Sequence, residues 1–373
     1  MKLKSILKPI IKWTFRLLLA GLLVAVVALF VAYWRSSNDC DRLTSAPLNP
    51  MKAIVYCEYG PAEVLQVRQI EKPVPANDEV LVKVRATSLN PADGAYTGKA
   101  RILTGLRKPK VTRFGIDFAG TVEAVGKNVT DFKAGDDVFG AKTGACAEYV
   151  SVRADRGIVL KPANQTFEQA AGVGVAAVTA LQGLRDKGKI QSGQNVLING
   201  ASGGVGTFAV QIAKSYGAEV TAVCSTRNVD LVRSIGADRV IDYTKEDFTK
   251  SDQHYDLIFD LVGNHSFSER RGILTPNGIC IMAGIGGAGW HEGVWGRLGG
   301  ALKAYVLSRF LSQKFDNFLA RIDKKDLMIL ADLMQSGKVA PVIDRVYKLN
   351  EVPAAVRYLE QGHARGKVIV NIE

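Results

Sequence analysis

Residues 200–206 read Gly-Ala-Ser-Gly-Gly-Val-Gly, a composition and spacing that suit the binding of a phosphate group. Glycine lets the backbone turn tightly and approach an anion, and the N-terminus of a following helix offers free N–H groups and the positive end of its dipole. Strand-like runs cover 195–199 and 219–224, and a helix-like run covers 207–216. This order of strand, glycine turn, helix and strand predicts a dinucleotide-binding unit that holds a nicotinamide cofactor.

The end of the second strand indicates which cofactor this is. Proteins that bind NAD place Asp or Glu there, where the carboxylate holds the ribose hydroxyls. Here residues 224–228 read Cys-Ser-Thr-Arg-Asn, without an acidic side chain. A hydroxyl and a guanidinium suit a 2′-phosphate, because arginine makes planar, charge-assisted contacts with phosphate oxygens. We therefore expect NADPH; the alternative is that Arg227 is a solvated residue at a helix start.

A serine hydrolase is the competing interpretation of the same loop. Residues 200–204 also match Gly-x-Ser-x-Gly, in which the serine is a nucleophile on a strand-to-helix turn. All four histidines follow Ser202, so residue order alone does not exclude a catalytic triad. No His-Gly-Gly-Gly segment for an oxyanion hole precedes the loop, and its additional glycines favour phosphate binding.

The length and composition of the chain indicate what kind of protein contains this loop. The 373 residues are enough for about two domains, and 47% of them are hydrophobic. Strand-like runs dominate 51–170, whereas helix-like and strand-like runs alternate beyond that point and predict a parallel sheet with crossover helices. The net charge of +12 suits an anionic ligand or a membrane surface. No nucleic-acid-binding motif is visible, so we expect no nucleic-acid partner.

Five cysteines are scattered through the chain without a Cys-x-x-Cys pair. Their odd number and irregular spacing argue against a disulfide framework. We expect reduced, mostly packed thiols.

Residues 17–34 form an apolar run without charge or proline, with aromatic residues at its end. At 1.5 Å per residue the run reaches about 27 Å, which covers most of a bilayer core. We expect a single-pass transmembrane helix at 17–34, a basic N-terminal arm at 1–16 and a linker at 35–50, with the lipid bilayer as a partner. A cleaved signal peptide and a mitochondrial presequence are the alternatives.

The side of the membrane that carries the main body is left open. The basic residues before the run place the N-terminus in the cytoplasm and the main body on the opposite side. An NADPH-dependent enzyme needs the cytosolic cofactor pool, and on that ground we favour the cytosolic side.

Residues 51–373 resemble a zinc-free medium-chain dehydrogenase/reductase of the quinone oxidoreductase, or zeta-crystallin-like, type. The stretches that carry the resemblance are 88–93 (Ser-Leu-Asn-Pro-Ala-Asp), 115–126, 135–140, 176–182, the glycine loop and 362–370. The resemblance implies an α/β fold with a GroES-like, β-rich catalytic domain at 51–172 and 343–373. It implies a Rossmann NADP-binding domain with a doubly wound parallel sheet at 173–342, an active cleft between the domains, and a homodimer.

Zinc is the point at which members of this superfamily differ. Zinc-dependent relatives carry a cysteine ligand where this chain has Asn90, and a His-Glu pair where it has Ile116 and Asp117. The resemblance therefore implies that no metal is bound. Without a Lewis acid the acceptor must already be electrophilic, such as a quinone or an α,β-unsaturated carbonyl. We expect hydride transfer from NADPH to such an acceptor at a membrane; an alcohol dehydrogenase of small alcohols or aldehydes, and an NADPH-binding scaffold or sensor without turnover, are the alternatives.

The resemblance also implies roles for individual residues. The cofactor would be held by residues at its pyrophosphate (Gly203, Gly204, Val205, Gly206), at its adenosine phosphate end (Ser225, Arg227, Tyr243), at its nicotinamide half (Thr179, Leu261, Val262, Gly263), and by Lys367. Asn90 would lie in the active site near the nicotinamide ribose, and Tyr96 would be a proton donor. A turn residue before Pro91 is the alternative for Asn90, and a packed aromatic is the alternative for Tyr96. Asp93 is interpreted as a helix-start cap.

Overall fold

The structure is a computed structural model that describes residues 3–34, 37–38, 40, 46–98, 101–283 and 312–372. Parts of the linker expected at 35–50 therefore lie outside the described residues. Two large β-sheets organise the chain after the N-terminal helix, and a third sheet has only two strands. One cluster of buried apolar side chains includes residues of both large sheets, and a second cluster packs against the first of them.

The N-terminal segment is one helix, α1 (Leu3–Trp34), which includes both the basic arm and the apolar run. Among the residues that the structure describes, no helix has the length and apolar character that crossing a membrane requires. The predictions of a transmembrane helix and of a membrane localisation are therefore wrong, and the bilayer as a partner depended on them. The prediction had little margin, because the apolar run reaches only about 27 Å against a hydrocarbon core of roughly 30 Å.

A disulfide between Cys40 and Cys57 joins the segment after α1 to the first strand region, with the two Cα atoms 5.7 Å apart. The side-chain amide of Asn38 donates to the carbonyl oxygen of Cys57 at 2.8 Å and holds the same segment. The expectation of reduced thiols is wrong for this pair, because the chain folds back and brings together cysteines whose spacing gives no sign of pairing. The remaining three cysteines are buried and free, as expected: Cys146, Cys224 and Cys280.

The β-rich first part of the chain supplies seven strands. They are β1 (Pro50–Val55), β2 (Gln66–Glu71), β3 (Glu79–Leu89), β4 (Asp117–Val125), β5 (Asp137–Ala141), β6 (Tyr149–Arg153) and β7 (Ile158–Leu160). β1 and β2 form the two-stranded sheet, and β3 is the central strand of the mainly antiparallel large sheet, pairing with both β4 and β6. A short helix, α2 (Arg101–Thr104), and two 3₁₀ segments (Ala62–Val64, Pro91–Thr97) complete this part.

Six parallel strands build the second large sheet. They are β8 (Asn195–Asn199), β9 (Glu219–Cys224), β10 (Arg239–Asp242), β11 (Tyr255–Asp260), β12 (Leu274–Ala283) and β13 (Lys314–Phe318). Their spatial order is β10-β9-β8-β11-β12-β13. Counted from β8, this is the order 3-2-1-4-5-6 of a doubly wound dinucleotide-binding sheet. The predicted parallel sheet is therefore confirmed, and β8 and β9 have the predicted bounds.

Helices precede, connect and follow these strands. They are α3 (Phe167–Ala171), α4 (Gly174–Leu181) with a π-type continuation (Gln182–Lys187), α5 (Gly204–Ser215), α6 (Val229–Ser234), α7 (Phe267–Gly272), α8 (Lys324–Gln335) and α9 (Val352–Glu360). Three 3₁₀ segments lie between them (Thr226–Asn228, Phe248–Lys250, Leu349–Glu351). Side-chain caps fix some of the starts: the Thr166 hydroxyl accepts from the Gln169 backbone N–H, and the Gln169 side chain accepts from the Thr166 N–H.

The chain returns to the first large sheet at its end. β14 (Ile343–Lys348) runs parallel to β15 (Lys367–Asn371), and β15 pairs antiparallel with β3. The completed sheet has the order β14-β15-β3-β4-β5-β7. The register places Val368 opposite Leu89, so Lys367 lies beside Asn90 although the two are 277 residues apart. The domain boundaries at 172 and 343 stay predictions.

Candidate active site

The glycine loop lies where the strand order of the parallel sheet reverses, beside the loop that follows β11. Gly200 has a φ of +85°, and a Cβ added there would lie 2.9 Å from Cγ2 of Val262 and 3.5 Å from Cβ of Leu261. Positive φ and this close neighbour both require glycine. In doubly wound sheets, ligands bind in the crevice at this switch point.

Gly206 lets the start of α5 pack against the loop itself. A Cβ at Gly206 would lie 2.1 Å from the carbonyl oxygen of Gly200. Gly203, in extended conformation, is the N-cap of α5 and provides no side-chain cap, so N–H groups of the first turn are left for an anion. Cβ atoms at Gly203 and Gly204 would have no neighbour nearer than 3.4 Å among the described residues, so contacts within the protein do not require glycine there. The loop therefore fits the pyrophosphate of a dinucleotide.

The residues predicted at the adenosine phosphate end lie together after β9 and β10. Asn228 donates through Nδ2 to the hydroxyls of Ser202 and Ser225, at 2.9 and 3.2 Å, and so ties the glycine loop to the end of β9. Arg227 is exposed, and its Nη2 donates to the carbonyl oxygen of His363 at 2.7 Å. Tyr243 is 56% exposed. The Ser202 hydroxyl thus accepts a hydrogen bond that helps to hold the glycine loop.

An acidic side chain at this end was missed in the sequence. Asp242, the last residue of β10, accepts from the Thr226 hydroxyl at 2.6 Å and from the Thr244 hydroxyl at 2.7 Å. The hydrogen bond from Thr226 contributes most to lowering the pKa of Asp242, which lies at about 2. The carboxylate is ionised but held by hydroxyls, and Lys245 lies 3.4 Å from it.

The predicted nicotinamide-side residues are fixed by backbone hydrogen bonds. Oδ1 of Asp260 accepts from the backbone N–H groups of Val262 and Gly263 at 3.1 and 2.8 Å. Its other oxygen accepts from Arg270 at 2.7 Å. Thr179 is half-buried in α4, and its hydroxyl donates to the Val175 carbonyl one turn earlier at 2.7 Å.

Four polar side chains meet at the junction of β3, β4 and β15, and we call Asn90, Asp93, Asp117 and Lys367 the polar cluster. Nζ of Lys367 donates to Oδ1 of Asn90 at 2.6 Å and lies 3.5 Å from Oδ2 of Asp117. Oδ2 of Asp117 also accepts from Nδ2 of Asn90 at 2.9 Å. Burial lowers the pKa of Lys367, and the neighbouring Asp117 charge opposes that shift.

Asp93 is the fourth member, and it is the cap that the sequence suggested. Its Oδ2 accepts from the backbone N–H of Asn90 at 2.7 Å. Its Oδ1 is buried and has no hydrogen-bond partner among the residues that the structure describes. Burial, and secondarily the charge of Asp117, raises the pKa of Asp93 to about 7. An unpartnered carboxyl oxygen is less costly when protonated, so this site holds a proton in the neutral range.

Tyr96 lies in the apolar core of the first domain, where it is 2% exposed. Its ring packs edge-on against Tyr56 and Phe114, with centroids 6.4 and 5.9 Å away. Its hydroxyl donates to Oε1 of Glu360 at 2.7 Å. Burial, followed by this hydrogen bond, raises the pKa of Tyr96 well above its usual range. The geometry favours the packed aromatic over the proton donor, and the donor role stays a prediction.

Among the residues that the structure describes, no group of three or more His, Cys, Asp or Glu side chains could hold a metal ion. Asn90 and Asp117 both engage Lys367.

The sequence predicts Asn90 and Lys367 separately as site residues, but it does not predict that Asp117 is their partner. The one available signal was a charged residue at the start of an otherwise apolar run, 117–120. The strand that contains it is buried there, with Asp117 itself 0% exposed. A carboxylate in such a position requires a partner, although the sequence does not say which.

Several known proteins are similar to this chain in sequence or in structure. A family model described as an alcohol dehydrogenase GroES-like domain matches residues 76–179, and one described as a zinc-binding dehydrogenase matches 235–370. The chain is 35% identical over 336 residues to the chloroplastic NADPH-dependent alkenal/one oxidoreductase of Arabidopsis thaliana, covering 86% of this chain and 79% of that protein. It is 32% identical over 336 residues to the 2-methylene-furan-3-one reductase of Solanum lycopersicum, with the same shares covered. Among solved structures, the quinone oxidoreductase from Coxiella burnetii has a TM-score of 0.75 at 30% identity, covering 87% of this chain and 100% of that one.

Proposed function

The chain belongs to the medium-chain dehydrogenase/reductase superfamily and is an oxidoreductase, and from this premise we propose that it reduces α,β-unsaturated carbonyls or quinones with NADPH and without zinc. One observation carries the proposal. Lys367 joins the polar cluster to the glycine loop, with its Cδ 3.4 Å from where a Cβ of Gly204 would be. The site thus presents an amide and an ammonium group, rather than metal ligands, next to the loop.

The cofactor assignment rests on the adenosine phosphate end. Ser225 and the exposed Arg227 lie at the end of β9, where a 2′-phosphate would be bound in such a sheet. The carboxylate of Asp242 is occupied by threonine hydroxyls and is not offered to a ribose. When bound, NADPH supplies the hydride for the reaction.

The choice of acceptor follows from the donors that the protein can offer. Without a Lewis acid, a simple carbonyl is a poor hydride acceptor, whereas a conjugated carbonyl or a quinone spreads the incoming electron pair onto oxygen. Hydride addition at the β carbon of an enal leaves a negative charge on the carbonyl oxygen, and a proton from solvent then completes the saturated product. The relatives named as alkenal/one oxidoreductase and 2-methylene-furan-3-one reductase support an acceptor of this class.

The test is NADPH consumption by the full chain with a panel of acceptors. The panel contains 2-alkenals, short-chain quinones and the matching saturated aldehydes, each with NADPH and with NADH. We expect turnover with 2-alkenals or quinones, at least about tenfold slower turnover with saturated aldehydes, and a preference for NADPH.

Two results would contradict the proposal. Equal or faster turnover of saturated aldehydes would indicate a conventional alcohol dehydrogenase. Tight NADPH binding without turnover of any acceptor would indicate a binding protein that senses or stores the cofactor state.

A further inference from the structure

The orientation of the Asn90 side chain is dictated by two buried charges. Nζ of Lys367 lies 2.6 Å from Oδ1 of Asn90, and Oδ2 of Asp117 lies 2.9 Å from its Nδ2. An ammonium group only donates and a carboxylate only accepts. Exchanging the two ends of the amide would therefore place donor against donor and acceptor against acceptor.

The two charges of Lys367 and Asp117 lie in a buried environment. Lys367 is 2% exposed and Asp117 is 0% exposed. Desolvation of such a pair costs several kcal/mol per ion, and well-packed apolar residues often serve stability equally well or better. A charged pair in this position therefore suggests a use other than stability.

Lys367 also connects the cluster to the cofactor loop. A Cβ at Gly204 would lie 3.4 Å from Cδ of Lys367, and a Cβ at Gly172 would lie 3.4 Å from its Cγ. The aliphatic part of Lys367 thus runs between the end of α3 and the first turn of α5, and its charged end reaches Asn90. Lys367 therefore links Asn90 directly to the glycine loop.

We propose that Lys367 is a positioning residue, which with Asp117 holds the Asn90 amide so that its second N–H serves the nicotinamide half of the cofactor. This inference rests on the proposed function, because it concerns the alignment of the nicotinamide for hydride transfer. It differs from a direct contact between Lys367 and the cofactor phosphates. An amide has two N–H groups, and Asp117 takes one of them.

The first experiment is a binding measurement that does not need turnover. The full chain and its Lys367→Met variant are titrated with NADPH and with 2′-phospho-ADP, which has the pyrophosphate but lacks the nicotinamide and its ribose. We expect Lys367→Met to raise the Kd of NADPH about tenfold and to leave the Kd of 2′-phospho-ADP within about twofold. Equal weakening of both ligands would show that Lys367 binds the phosphates directly, and no weakening of either would show that it does not act on the cofactor; either result overturns the proposal.

A second variant separates positioning from charge compensation. Lys367→Met leaves Asp117 buried without its partner and could lower the folded fraction, whereas Lys367→Met with Asp117→Asn removes both charges together. If Lys367 served only to compensate Asp117, the double variant would recover both stability and NADPH affinity. We expect it to recover part of the stability, measured by urea unfolding, because no buried charge is left unpaired and the new amide oxygen can still accept from Asn90. Recovery should be incomplete, since the amide nitrogen then faces the backbone N–H of Val175 that Oδ1 of Asp117 accepts. The Kd of NADPH should stay about tenfold raised, because the ammonium group that orients Asn90 is still missing.

The control is a buried lysine outside the site. Lys161, whose side chain is 8% exposed, donates to the carbonyl oxygens of Pro162 and Gln165. Lys161→Met should lower stability without changing the ratio of the two Kd values. In the turnover assay, kcat of Lys367→Met should fall about tenfold with a larger deuterium isotope effect. An absence of turnover in the wild-type protein would refute the proposed function, but the two titrations would still decide the role of Lys367.

Discussion

The glycine loop lies against Lys367, a member of the polar cluster, but the two regions are built in different ways. The loop is made of consecutive residues whose geometry is set by the backbone, with Gly200 at positive φ and Gly206 against the Gly200 carbonyl. The polar cluster is made of side chains that come from segments up to 277 residues apart. The loop should therefore be sensitive to added atoms, and the cluster to removed charges.

The largest effect is expected in the polar cluster, from Asp117→Asn. This change removes the charge that compensates Lys367 in a buried site, and breaking a buried pair costs about 3–5 kcal/mol. The free energy of unfolding, measured in urea at neutral pH, should fall by about that amount. The matched control is Asp155→Asn, which breaks an exposed ion pair with Arg153 and should leave stability unchanged.

The same variant has a pH dependence whose sign follows from Lys367. Burial lowers the pKa of Lys367 in the folded protein, and loss of Asp117 removes the largest opposing contribution. The unfolded chain then binds more protons than the folded one up to the usual lysine pKa of about 10.4, so the stability of the variant rises with pH. A stability loss that stayed constant from pH 7 to 10 would show that Lys367 is not left charged and unpaired.

The glycine loop should respond most strongly to Gly206→Ala. The added Cβ would lie 2.1 Å from the Gly200 carbonyl oxygen and 2.7 Å from Cα of Ala201, so the backbone must move. Overpacking of this kind costs about 1–3 kcal/mol, and the displaced loop should raise the Kd of NADPH by about 30-fold or more. Gly272→Ala is the control, because a Cβ there has no neighbour within 4 Å among the described residues. Equal Kd values for the two variants would show that the loop is not the phosphate site.

The difference between the two regions also explains what the sequence could predict. The loop, its flanking strands and the parallel sheet follow from local patterns, and the structure places them as expected. The contact between Lys367 and Asp117 depends on the register of β15 against β3, which no local pattern specifies. The Cys40–Cys57 disulfide was missed for the same reason. The prediction of a transmembrane helix was wrong for a different reason, because an apolar run near the minimum length was judged from its hydrophobicity alone.

A substitution of Asp93 tests whether the burial of its carboxyl group lowers the stability of the folded protein. Its pKa is raised to about 7 by burial and by Asp117, whereas an unfolded aspartate titrates near 4. Between these values the folded protein keeps a proton that the unfolded chain has lost, so stability falls as pH rises from about 4 to 7 and is constant above. Asp93→Asn should remove this slope and raise stability above neutral pH by about 1–2 kcal/mol, less than the full shift because the new amide leaves an N–H unpartnered.

The control for Asp93 is an aspartate with the same local hydrogen bond but without the burial. Asp136 accepts from the backbone N–H of Lys133, three residues earlier, on the surface. Urea unfolding of Asp136→Asn between pH 4 and 9 should follow the wild-type curve. If the stability of Asp93→Asn also followed the wild-type pH curve, Asp93 would be ionised in the folded protein and the polar cluster would carry a net negative charge.

The smallest effect is expected at the rim of the glycine loop, from Arg227→Ala. Arg227 is exposed and donates to the His363 carbonyl, so its contact with a 2′-phosphate would be made in solvent and partly screened. We expect the KM for NADPH to rise about tenfold at low salt and the KM for NADH to stay unchanged, measured with one 2-alkenal. Arg233→Ala, at an exposed position of α6, should change neither value. If the KM values for NADPH and NADH rose equally, Arg227 would act by holding the His363 segment in place rather than by binding phosphate. The preference for NADPH would then have to come from Ser225 and Tyr243.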